Sequence, residues 1–195
     1  MSSYTPTFPR RAATEVFWSR PAPLEHALQL YDDQTLLMDA LEGFAASGLR
    51  AREAVIIVAT QPHRAALERR LCQRGFDVDQ ARAENLYIDL DARATLAQFM
   101  VDGWPDEDRF KTLLGPLLAH ARGAGRPVRA FGEMVALLCA DDNLVAALHL
   151  EKVWNQVCAE ESLWLFCAYP SQCLAGAAPE QLAEICAEHT RTFPP

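Results

Sequence analysis

Ala54-Val55-Ile56-Ile57-Val58-Ala59-Thr60 is an unbroken, β-branched apolar run with its first polar residue at the end. A strand with one wet face alternates apolar and polar residues. A run that is apolar on both faces predicts a strand covered on both sides, as in a parallel sheet. Parallel strands need crossover connections, and the flanking sequence supplies them. Upstream, His26–Tyr31 reads as a first strand ending at Asp32-Asp33. A helix follows with Leu36, Leu37, Ala40, Leu41 and Phe44 on one face and Gly48 expected as its C-cap. Downstream, a helix is expected over 62–74, ended by Gly75, with a third strand over 85–91 and helices over 92–101 and 107–122. The stretch 127–133 reads as a fourth strand, 134–139 and 143–160 as helices, 163–169 as a fifth strand, and 179–190 as the last helix. The fold class is therefore α/β, a three-layer α/β/α arrangement around a mostly parallel five-stranded sheet.

At 195 residues one domain is expected over residues 24–195. Residues 1–23 hold Pro6, Pro9, Pro21 and Pro23 without an apolar period and read as an extended leader, from which Phe17 and Trp18 dock on the body. The formal net charge of −8 leaves no basic surplus to displace counterions from phosphates, which argues against direct nucleic-acid binding. No apolar run approaches a membrane span and no signal-peptide pattern opens the chain, so a cytoplasmic protein is expected. Cys72, Cys139, Cys158, Cys167, Cys173 and Cys186 show no CxxC or metal-ligand spacing. They read as reduced thiols, several of them buried, with no cofactor and no metal expected.

In parallel α/β sheets ligands sit outside the carboxyl ends of the strands. That rule selects Tyr31, Asp32, Thr60, His63, Arg64, Asp91, Glu133 and Tyr169 as candidate ligand-binding residues. Each has a structural alternative. Asp33 and Asp91 are suited to cap helices, Thr60 likewise, and His26 at the start of a strand suits a satisfied structural histidine. Glu133 follows an apolar strand and Gly132, where it serves either a site or a hydrogen bond across the sheet. Trp154 reads as core and Asn155 beside it as a polar contact. The first strand–helix junction, Tyr31-Asp32-Asp33-Gln34-Thr35, has no glycine or lysine and cannot cradle phosphates. No GxSxG elbow occurs. A Cys167–His26–Glu133 group is conceivable across neighbouring strands, but Cys167 inside a strand favours a buried thiol, so no catalysis is expected.

An ordered set of segments resembles the MEDS family, the DcmR-type sensory domain of methanogens and methylotrophs. It comprises His26 with Tyr31, Gly48-Leu49, and Thr60-Gln61-Pro62-His63-Arg64. It continues with Leu90-Asp91-Ala92, the block 127–134, Leu150-Glu151-Lys152-Val153-Trp154-Asn155 and Cys167-Ala168-Tyr169-Pro170. The resemblance implies a RecA/KaiC-like sheet without its phosphate loop and a sensory role toward a small, apolar or hydrocarbon-derived ligand. It also gives candidate status to His26, Tyr31, His63, Arg64, Glu133, Trp154 and Asn155. Family members commonly carry an output module, and only residues 171–195 follow Pro170. Output is thus expected to pass in trans to a regulatory protein such as a kinase or transcription factor; a homodimer is compatible with this reading. The alternatives are a ligand-free protein–protein regulatory module on a degenerate ATPase scaffold and, behind it, an enzyme with a Cys/His/Glu site.

Overall fold

The computed structural model describes Trp18, residues 25–123 and residues 125–193; apart from Trp18, the Pro-rich leader read over 1–23 lies outside them. Parallel strands β1 (His26–Tyr31), β2 (Ala54–Ala59), β3 (Tyr87–Asp91), β6 (Val128–Gly132), β7 (Trp164–Pro170) and β8 (Arg191–Phe193) form one sheet, in the order β3-β2-β6-β7-β1-β8. A two-residue hairpin, β4 (Met100–Val101) with β5 (Trp104–Pro105), stands apart. The expected parallel α/β sheet is present with six strands rather than five. The sixth escaped the sequence reading because Arg191–Phe193 is only three residues long and carries no apolar alternation; its backbone pairs with Ala27–Gln29 of β1.

Helices α1 (Gln34–Arg50), α2 (Gln61–Gln73) and α3 (Val78–Ala83) cover one face through Leu37, Leu41, Phe44, Leu67, Leu71 and Val78. The other face carries α4 (Ala92–Phe99), α5 (Glu107–Arg122), α6 (Met134–Ala140), α7 (Leu144–Glu161) and α8 (Pro179–Ala187). Right-handed crossovers explain this division. The chain steps from β1 out to β2 and β3 with helices on one face, then reverses toward β6, β7 and β8 with helices on the other. Three adjacent pairs, β3 with β2, β2 with β6 and β1 with β7, therefore send their next segments to opposite faces. At such places a crevice opens at the carboxyl edge of a parallel sheet. Among the described residues, no helix is long and apolar enough to cross a membrane.

Three local expectations change, the first being that the helix expected over 92–101 stops at Phe99, where Met100–Val101 pair with Trp104–Pro105 instead. The last helix ends at Ala187 rather than 190, which frees the chain to enter β8. Gly48 is not a C-cap: α1 continues through it to Arg50. Its role is steric, because a Cβ there would lie 2.6 Å from Cδ of Arg129 and 2.7 Å from Cγ2 of Val55. Arg129 is buried and spends its guanidinium locally. Nε donates to Glu53 at 2.6 Å and Nη1 to the Phe44 carbonyl at 2.9 Å, while the Trp164 and Phe44 rings stack within 5.0 and 5.2 Å. Trp18 packs on the same aromatic group, 5.2 Å from Phe44 and 4.8 Å from Phe166, so it docks on the body as expected. Gly48→Ala should cost about 1–3 kcal/mol through overpacking, although alanine is the better helix former by about 1 kcal/mol. Urea unfolding checks the sign; a gain in stability would mean that Arg129 does not need the space.

Candidate functional site

Glu133 stands at the carboxyl end of β6, where Val58 pairs with Gly132 and the Glu133 amide donates to the Val58 carbonyl at 2.9 Å. Its carboxylate turns back across the sheet. Oε2 accepts from the Thr60 amide at 2.6 Å, and Oε1 accepts from the Thr60 hydroxyl at 3.3 Å and from Nδ1 of His63 at 2.8 Å. The His63 Nε2 meets the side-chain amide of Gln34 at the start of α1. Thr60 occupies the N-cap position of α2 without capping through its side chain, since its hydroxyl is given to Glu133. A single buried carboxylate thus joins the ends of β2 and β6 and the first turn of α2, and through His63 it reaches α1. His63 is 15 % exposed and forms the accessible side of this group.

The neighbouring candidates divide into anchors and wall. Arg64 gives Nη1 to Asp89 and Nη2 to Asp91, both at 3.2 Å, and Nε to the Ala59 carbonyl. These bonds fasten α2 to β3 and leave the guanidinium committed. Asp91 caps α4 by accepting from the Ala94 amide, and Asp33 caps α1 by accepting from the Thr35 and Leu36 amides. An aspartate therefore occupies the helix start where a phosphate would bind. Asp32 is exposed. Tyr31 is buried, and burial followed by the nearby Glu133 carboxylate and the Cys173 thiol raises its phenol well above its usual range. None of Thr60, His63 and Glu133 lines the open groove of about 490 Å³, whose walls include Cys139, Leu144, Gln172 and Cys173.

The remaining candidates lie elsewhere. His26 is at the amino end of β1, and with the half-buried Asn155 and buried Tyr169 it belongs to a second group under the α7 face of the sheet. His26 Nδ1 bonds Asn155 Oδ1 at 2.8 Å and Nε2 lies 3.3 Å from Cys167 Sγ. The conceivable Cys167–His26–Glu133 set is thus corrected in its acid. Glu151, one position after Leu150 on α7, approaches His26 Nε2 at 3.3 Å and accepts from the Tyr169 hydroxyl at 2.9 Å. His189, just before β8, completes the group 3.5 Å from Glu151. Donor atoms of His26, Glu151, Cys167 and His189 all lie within 4.8 Å of one another. Burial, then the Glu151 charge, pushes the Cys167 thiol well above its ordinary value. Burial also raises the Glu151 carboxyl, but His189, His26 and the Tyr169 hydroxyl outweigh it and hold it low. Trp154 is core, 4.9 Å from Phe110 in an edge-to-face contact.

Glu151 and His189 are the members of this group that no sequence motif singled out as a cluster. Glu151 did leave a signal: a carboxylate between Leu150 and Val153 on the buried stripe of a helix has no solvent to face. His189 left none. Its place follows from the pairing of β8 with β1, which no local pattern announces.

The Ala94 amide and the Arg64 guanidinium hold the Asp91 carboxyl below its ordinary 3.8. A depressed carboxylate contributes fully above its unfolded value and loses that contribution as pH falls through its folded one. Asp91→Ala should cost about 1 kcal/mol at neutral pH, as helix caps do. The difference from the unaltered chain should shrink as pH drops below 3.8, which urea unfolding at a series of pH values measures. A deficit that does not change with pH would show that the charge of Asp91 is idle.

The family model of the MEDS domain (MEthanogen/methylotroph, DcmR Sensory domain) matches residues 25–190, a stretch that holds both polar groups. No curated protein matches the chain.

Proposed function

The chain belongs to the MEDS family of sensory domains, and from that premise we propose that it is a non-catalytic sensor of a small molecule. The ligand binds at the carboxyl edge of the sheet and its occupancy is passed to a regulatory protein. The observation that carries the reading is the Glu133–Thr60–His63 group at the junction of β2 and β6. That junction is one of the three places where adjacent strands send their next segments to opposite faces and a crevice is expected. The carboxylate is satisfied by the protein, so it presents His63 rather than acting alone. A polar handle on the ligand takes the place of the Gln34 side chain at Nε2 of the partly exposed His63, with buried Tyr31 close to the Glu133 carboxylate. Small-molecule sites are commonly built in this way, with a few polar groups orienting a mostly apolar ligand.

Three features support this over the other readings. The α1 start is capped by Asp33, which disfavours a nucleotide phosphate. Burial pushes Cys158 up to about 12 and Cys167 well above its usual value, which disfavours a thiolate nucleophile. The net charge of −8 favours a protein rather than a nucleic acid as the recipient of the signal.

Thermal unfolding against a library of nucleotides, organic acids and small apolar compounds tests the proposal. A ligand at a hundred times its Kd stabilises the native state by about 2.7 kcal/mol. His63→Ala should abolish that shift while lowering the unliganded midpoint by about 2–8 °C, the effect of two lost hydrogen bonds in a chain of this size. If no compound moves the midpoint, the ligand-free protein–protein module replaces the sensor reading.

A further inference from the structure

The buried group under β1 and β7 has more acceptors than protons. Asn155 Nδ2 donates to the Glu188 carbonyl at 2.7 Å and to Glu188 Oε2 at 2.6 Å. Its Oδ1 therefore faces His26 and accepts from Nδ1, so His26 Nε2 carries a lone pair. The Ile185 carbonyl accepts from His189 Nδ1 at 2.6 Å, which likewise leaves a lone pair on Nε2 of His189. Both lone pairs aim at Glu151 and Cys167. The Cys167 thiol proton can serve His26, and the Tyr169 hydroxyl serves Oε1 of Glu151. Glu151 Oε2 and His189 Nε2 then remain buried with no hydrogen-bond partner among the described residues. Side chains of this kind are almost always satisfied in a native interior, and each orphan costs about 1–3 kcal/mol.

We propose that His26 Nε2, His189 Nε2, Cys167 Sγ and a Glu151 carboxylate oxygen are the ligands of a structural divalent transition-metal ion of the zinc type. Two imidazoles, a thiolate and a carboxylate form a donor set that suits a borderline-soft ion with four-coordinate geometry. Calcium and magnesium take oxygen ligands and do not fit it. Cys167 as thiolate and Glu151 as carboxylate cancel the charge of the ion, which permits it in an interior where the side chains of Glu151 and His189 have no exposed surface. On binding, the Cys167 S–H bond breaks, its proton leaves to solvent, and the sulfur electron pair goes to the ion; nothing is oxidised or reduced. Asn155, the Ile185 carbonyl and the Tyr169 hydroxyl act as the outer partners that fix ligand orientation. With four protein ligands and no open position, the ion serves structure rather than catalysis. It ties β1, β7, α7 and the segment leading into β8, and so fastens the edge strand to the sheet. The site is closed to solvent, so the ion is enclosed as the chain folds. The four ligands are separated by up to the whole length of the domain, which is why no metal spacing shows in the sequence.

The test is metal analysis of the full chain. The protein is purified without chelator, and is also refolded from guanidinium under reducing conditions with zinc chloride or with EDTA. The expected result is about one zinc per chain after refolding with zinc, and an unfolding midpoint higher by roughly 5 °C or more than with EDTA. Cys167→Ser and His189→Gln should lose the ion, while Cys72→Ser, at an exposed thiol outside the group, should keep it. Where those two variants fail to fold, cobalt(II) refolded into the unaltered chain gives the answer: sulfur-to-cobalt charge transfer with the visible bands of a tetrahedral site. Absence of bound zinc with equal midpoints in zinc and EDTA would overturn the proposal. So would retention of the ion in Cys167→Ser, or a cobalt spectrum without sulfur ligation.

Discussion

One carboxylate holds the carboxyl edge of this sheet together. Glu133 accepts the Thr60 amide across the gap between β6 and β2, and by doing so fixes where α2 begins and where His63 points. The gap exists because right-handed crossovers force the chain to change faces when it reverses direction. A parallel sheet built this way must leave adjacent strand ends whose helices depart to opposite sides, and something polar must satisfy the backbone there. In many proteins a ligand fills such a crevice. Here Glu133 satisfies the backbone and, through His63, ties the start of α2 to Gln34 at the start of α1.

The two polar groups share their strands. His26 opens β1 and Tyr31 closes it; Cys167 and Tyr169 lie in β7, whose Pro170 carbonyl accepts from the Cys173 thiol beside the groove. The buried group therefore sets the position of β1 and β7, themselves a pair whose next segments leave on opposite faces. An ion held by His26, Glu151, Cys167 and His189 would make that position rigid, whereas the crevice itself rests on hydrogen bonds around a partly exposed imidazole. Rigidity under the sheet and accessibility at its edge are compatible in one sensor.

Much of this was legible from residues alone. The Ala54–Ala59 run demanded a strand covered on both faces, and the missing glycine and lysine after Tyr31 excluded a phosphate cradle, which the Asp33 cap now explains. Glu133 was recognisable because a carboxylate after an apolar strand and a glycine must answer to something. What the sequence did not reveal depended on distance along the chain. Gly48 looked like a helix end, and only the arrival of Arg129 from β6 shows that it makes room inside the helix. The family resemblance set His26 beside Glu133 as a ligand candidate, yet strand direction keeps it at the amino end of β1, where its place at the start of a strand suited a structural histidine. Its acid is Glu151 rather than Glu133, a choice made by which face of the sheet each side chain takes.

The most direct test of the central claim is a crystal structure of the chain with a compound that raises its unfolding midpoint. The account predicts that compound in the crevice between the carboxyl ends of β2 and β6, within hydrogen-bonding reach of His63 and walled by Tyr31. A compound bound away from that edge, with the Glu133, Thr60 and His63 contacts unchanged and the imidazole untouched, would contradict it.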